Sequence, residues 1–225
     1  MRYNIFNQIH KALRALLYDT ALGIQQTDFV DAAEAEQTLS KLQQLIALFD
    51  KHAYHEDNYV LPAIQQFEPS LKEAFEQEHV QDHALGQRLT RLMNAYEHAV
   101  STAERTEVGL AIHAAYVDFM VFNLNHMAKE ENLINAALWK HYTDAQIQNL
   151  NNIIVSNIPQ EEAAFSSVWM IKSLNNQEII GWLKQVRSNA PEPAFRALFN
   201  IASSELSAQR WGIIQEVLME GVLVA

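Results

Sequence analysis

Two stretches, KHAYHEDNYVLP at residues 51–62 and NHMAKEENLI at residues 125–134, each carry a histidine followed four residues later by a glutamate: His52 with Glu56, and His126 with Glu130. Both sit in strongly helical surroundings. On an α-helix a step of four residues returns to within about 40° of the starting direction and climbs about 6 Å. Each pair therefore projects an imidazole and a carboxylate from one face, and two such pairs 74 residues apart can reach the same metal centre.

Outward from these stretches the chain reads as all-α. It has only six glycines and five prolines, and β-branched residues nowhere alternate with polar ones over a strand length. Four amphipathic segments fill the first 140 residues. The first carries Phe6, His10, Leu13, Leu17 and Ile24 at helical spacing. The second, opened by Asp31 as N-cap, runs through Leu42, Leu45, Phe49, His52, Glu56 and Val60 toward Pro62. The third places Phe75, His79, Leu89, Met93 and Tyr96 on one stripe, with His83 one turn beyond His79. The fourth runs through Ile112, Tyr116, Phe119, Asn123, His126, Glu130, Leu133 and Ala137.

In all four segments histidines lie on the apolar stripe, which faces a bundle interior. Burying imidazoles and carboxylates without partners costs several kcal/mol in the worst case, so something must satisfy them. A metal held by inward-projecting side chains of four helices does so in one step.

Composition removes other chemistries. Sixteen basic residues against 27 acidic ones give a net charge of −11, which repels nucleic acid and anionic membrane surfaces. There is no cysteine, hence no disulfide, thiolate metal site or iron-sulfur ligation, and any metal is held by nitrogen and oxygen. The N-terminal MRYNIFNQIHKALRALLY reads as a helix rather than a signal peptide, and no stretch reaches roughly 18 uninterrupted apolar residues. A cytoplasmic protein is the expectation.

After Tyr142 the character changes, which predicts a metal-binding four-helix bundle over residues 1–142 and a helical extension over residues 143–225. In the extension Thr143 and Asp144 start one helix and Pro159 another, while Asn175 and Glu178 form a capping-box pair. No nucleophile-base pair, phosphate loop or repeat stands out there. The extension is expected to serve a protein partner or self-association.

IHKALRALL, HAYHEDNYVLP, EHVQDHALGQRL and HMAKEENLI, taken in this order, resemble the hemerythrin-like family of four-helix di-iron proteins across roughly residues 3–140. The resemblance implies an up-down four-helix bundle with two non-haem iron ions. It makes His10, His52, His79, His83 and His126 terminal ligands and Glu56 and Glu130 bridges. Oxygen carriers of this family end with a five-residue His-to-Asp spacing, whereas Glu130 lies four residues from His126. A five-residue step to Glu131 rotates about 140° on a regular helix, which favours Glu130. His55, His98, His113 and His141 read as surface or supporting residues, and Asp57 and Glu131 as facing solvent or supporting the ligands.

Mixed imidazole and carboxylate ligation with open positions suits iron, with manganese and zinc chemically admissible. The leading reading is a protein that binds or senses dioxygen or nitric oxide rather than an enzyme. The alternative is a di-iron redox enzyme, or an iron donor in stress response and iron-sulfur repair. In a third reading the metal is structural and the bundle serves as an interaction module.

Overall fold

The computed structural model describes residues 2–220; residue 1 and residues 221–225, the outer limits of the two expected domains, lie outside the described residues. The described residues form helices and no strand. In chain order these are α1 (Asn7–Gln26), α2 (Ala32–His55), a π-helical turn (Glu56–Val60), α3 (Leu61–Ile64), α4 (Pro69–His98), α5 (Thr102–Lys129), a second π-helical turn (Glu130–Ile134), α6 (Asn135–His141), α7 (Asp144–Ser156), α8 (Gln160–Ser173), α9 (Asn176–Asn189), α10 (Glu192–Glu205) and α11 (Ala208–Glu220). Contacts divide the chain into two units. Residues 1–7 and 16–157 form the first, and residues 8–15 with those from 158 onward form the second, so α1 contributes to both.

In the first unit local chemistry sets the helix starts. Asp31 accepts hydrogen bonds from the backbone N–H groups of Ala33 and Glu34 at the head of α2, and Ser101 with Glu104 makes a reciprocal capping box at the head of α5. Losing one such cap costs about 1 kcal/mol. Along α4 the buried residues are Phe75, His79, Asp82, Gly86, Leu89, Met93 and Tyr96, alternating steps of four and three. That alternation is the seam of a helix lying against its neighbours at a shallow angle. Phe49 and Phe119 meet edge to face at 5.3 Å. The buried hydroxyls are used: Tyr116 donates to the Leu17 carbonyl and Tyr96 to the Phe29 carbonyl, each at 2.7 Å. Gly109 is where α5 passes the Phe29 ring, since a Cβ there would sit 2.5 Å from it.

The continuous helix Thr102–His141 is long and apolar enough to cross a membrane by length and composition. Its inward face carries Asn123, His126 and Glu130, all buried, as expected of a bundle helix around a polar centre.

An apolar layer of Ile5, Phe6, Val60, Leu61, Ile64, Phe75, Ile134, Ala137 and Leu138 closes one part of this unit and takes in Ile147, with Leu150 and Ile154 packed against it. These three residues of α7 sit three and four apart on one face, so α7 groups with the bundle. The first unit accordingly runs through α7 to Asn157, past Tyr142 where the sequence character changes. Arg2 secures the end of α6, donating to the carbonyls of Trp139 and Tyr142 and pairing with Asp144 at 2.6 Å.

The second unit contains a repeat that the sequence did not suggest. α8 and α10 are each 14 residues long and start at 160 and 192, while α9 and α11 start at 176 and 208, an offset of 32 in both cases. Pro159 and Pro191 precede α8 and α10 with matching backbone angles. Asn175 and Ser207 accept from the backbone N–H three residues on. Buried Leu174 and Leu206 end the first helix of each hairpin. Few identical residues mark the two copies, because the repeat resides in helix lengths and caps rather than in composition. Its core is aliphatic: Ile171, Leu174, Ile179, Ile180, Leu183, Leu198, Ala202, Leu206, Ile214 and Leu218.

Candidate metal centre

Both His-x-x-x-Glu pairs stand where an α-helix opens into a π turn. The Leu61 N–H donates to the Glu56 carbonyl and the Asn135 N–H to the Glu130 carbonyl, five residues back in each case. Each glutamate is thus the first residue of its π turn. The wider turn inserts a residue and shifts the buried stripe, so Ile134 is buried while Leu133, expected inward, is 48% exposed. Asn58 and Asn132, each two residues past the glutamate, donate to the carbonyls of Tyr54 and Ala128 at 2.7 Å, supporting the backbone where the hydrogen-bond pattern changes.

Six of the seven sequence-derived candidates converge. One ligand atom from each of His10, His52, Glu56 and Glu130 lies within 4.8 Å of the others, and the same holds for Glu56, His79, His126 and Glu130. Glu56 and Glu130 belong to both groups. Nε2 of His52 is 3.1 Å from Oε1 of Glu56, and Nε2 of His126 is 3.0 Å from Oε1 of Glu130. Nε2 of His79 lies 3.3 Å from Oε2 of Glu56 and 3.7 Å from Oε1 of Glu130. That nitrogen is buried and makes no hydrogen bond among the described residues.

His83 is not brought in. The α4 seam steps from His79 to Asp82, so the next position turns outward. The His83 side chain is 60% exposed and pairs with Asp50 at 3.1 Å. Asp82 takes the inward place, accepting a 2.6 Å hydrogen bond from Asn123, which also donates to the Phe119 carbonyl. Interpolating the four-three alternation between Phe75 and Leu89 would have found Asp82. Of the remaining histidines, His98 bonds the Asn94 carbonyl on the surface, His141 stacks on Phe67 at 3.9 Å and His113 is exposed. His55 lies half-buried beside Tyr54 and Tyr59.

The electrostatics call for positive charge. Two carboxylates are buried within reach of four imidazoles. Burial opposes protonation of His79, but the Asp57 hydrogen bond and the nearby carboxylates of Glu130 and Glu56 outweigh it and push its pKa up to about 12. At His126 burial is again outweighed, here by Glu130 first and then Glu78 and Glu56, and the pKa rises to about 9. Burial raises the Asp82 carboxyl against the opposing Asn123 hydrogen bond. A cation is the other way to balance the cluster, and it would give the inward Nε2 of His79 a partner. The donor set, imidazole nitrogen and carboxylate oxygen without thiolate, fits a divalent cation of the first transition row.

The model of the hemerythrin HHE cation binding domain matches residues 1–138. The chain belongs to this family. The HHE match ends inside α6, leaving α7–α11 outside it. Neither a curated protein nor a solved structure matches the chain. HHE membership and the two His/Glu groups together identify a metal-binding helical bundle.

Proposed function

We propose that this HHE domain holds two iron ions and binds or senses dioxygen or nitric oxide. One observation carries the reading: the two candidate groups overlap in Glu56 and Glu130 and each adds two histidines of its own. Glu56 and Glu130 would then help hold both ions, with His10 and His52 added on one side and His79 and His126 on the other. Bound iron supplies electron exchange and open positions for a small ligand.

The chain's own residues restrict access and fix orientation. Phe122 stacks on His126 at 5.9 Å and Phe75 lies 5.6 Å from it, placing apolar surface beside the ligand nitrogens. Dry walls favour a small neutral ligand over water and ions. The alternative, redox turnover, has one supporting observation. Asp82, three residues from His79, is buried and its carboxyl is shifted toward the protonated form, so it could hold a proton near the centre.

The test is the visible absorption of anaerobically Fe(II)-loaded protein, recorded before oxygen, after oxygen and after return to anaerobic conditions. Bands that appear and vanish support reversible binding, while a lasting ferric spectrum supports redox chemistry. A spectrum blind to both oxygen and nitric oxide overturns the ligand-binding reading.

A further inference from the structure

Two carboxylates outside both candidate groups grip the far side of histidines inside one of them. Asp57 follows Glu56 in the chain, and its Oδ1 lies 2.7 Å from Nδ1 of His79 on α4. Glu78 precedes His79, and its Oε2 lies 2.9 Å from Nδ1 of His126 on α5. The other oxygen of Glu78 accepts from Lys129 at 2.6 Å, and Lys129 precedes Glu130. Each contact thus crosses to another helix from a residue next to a candidate ligand.

A neutral imidazole has one N–H and one lone pair. When Nδ1–H donates to a carboxylate, the lone pair on Nε2 points the other way, toward Glu56 and Glu130. The contact also fixes the ring rotation, which packing alone leaves two-fold. Asp57 is 39% exposed and Glu78 23% exposed, so neither is needed to fill the core.

We propose that Asp57 and Glu78 are positioning residues for the His79–His126 half of the centre, setting the tautomer and angle of its two histidines. This rests on the two-metal reading. Losing either carboxylate weakens metal binding at that half while the His10–His52 half stays filled.

The experiment titrates anaerobic, metal-stripped full-length chain with cobalt(II), following the visible ligand-field bands and counting equivalents. Wild type is run beside Asp57→Asn and Glu78→Gln, with far-UV circular dichroism as a check on folding. Wild type should take two equivalents. In each variant one should bind with unchanged affinity and the other roughly ten- to a hundredfold more weakly, with altered bands. Two variants on different elements keep the test alive if one fails to fold. Two unchanged equivalents in both folded variants would overturn the positioning role alone, and loss of both equivalents together would overturn its restriction to one half. A wild type binding fewer than two would overturn the two-metal reading beneath it.

Discussion

The interior of α1, α2, α4 and α5 differs sharply from that of α8–α11. Among the described residues the first buries His10, Thr20, Glu56, His79, Asp82, Asn123, His126 and Glu130, whereas the second buries a single polar side chain, Ser166. That hydroxyl is satisfied by the Glu162 carbonyl at 2.9 Å. Both regions are helical and both have continuous aliphatic packing, so secondary structure and hydrophobicity do not explain the difference. A hairpin repeat can be stable on apolar contacts alone. Charged groups at the heart of a bundle reduce its stability unless a counter-charge is supplied, so the two regions should respond differently to metal.

The strongest way to break this comparison is to remove a shared carboxylate. Glu56→Gln or Glu130→Gln should abolish uptake at both halves, a loss well beyond the roughly hundredfold expected for a supporting residue, as measured by metal content after dialysis. Chelation comes next. With metal present at about 1,000 times its dissociation constant, each site adds about 4 kcal/mol to stability, which chelation removes. Three of the four tryptophans, Trp169, Trp182 and Trp211, lie in α8–α11. Hydrogen exchange should therefore accelerate in α2, α4 and α5 on chelation, while tryptophan fluorescence changes less.

The converse change sharpens the contrast: Leu198→Ala, deep in the aliphatic core, should cost about 2–5 kcal/mol in α8–α11 and leave metal content intact. Acid acts on metal affinity rather than on the fold. Before metal binds, His79 and His126 carry raised pKa values of about 12 and about 9, so below pH 9 a metal must displace protons from both. Affinity should fall with decreasing pH, by about 1.4 kcal/mol per unit for each proton displaced, as read from isotherms between pH 9 and pH 7. The smallest effect is expected at the surface. His83→Ala should leave metal content unchanged and shift stability by no more than about 0.5 kcal/mol.

The convergence of four helices on His10, His52, Glu56, His79, His126 and Glu130 was legible because spacing of four on an amphipathic helix is a strong geometric statement. The preference for Glu130 over Glu131 came from the same regular geometry. What escaped lay where regularity ends. His83 was placed inward by a four-residue step, but the α4 seam takes a three-residue step there and buries Asp82. Leu133 was placed inward by uninterrupted α-helix, but the π turn inserts a residue and buries Ile134. The Asp57-Asn58 and Glu131-Asn132 dipeptides after each glutamate were the available hint of that irregularity. The limit at Tyr142 followed a shift in polarity; beyond it, Ile147, Leu150 and Ile154 of α7 pack with the bundle's apolar layer. The tandem hairpins share helix spacing and caps with few identical residues, so composition did not show them.

The most direct measurement is the iron content per chain after anaerobic reconstitution and desalting, with Glu56→Gln carried alongside. Two irons per wild-type chain and a near-empty variant are predicted. One iron or none in the wild type, or a variant that retains both, would contradict a centre built on shared carboxylates.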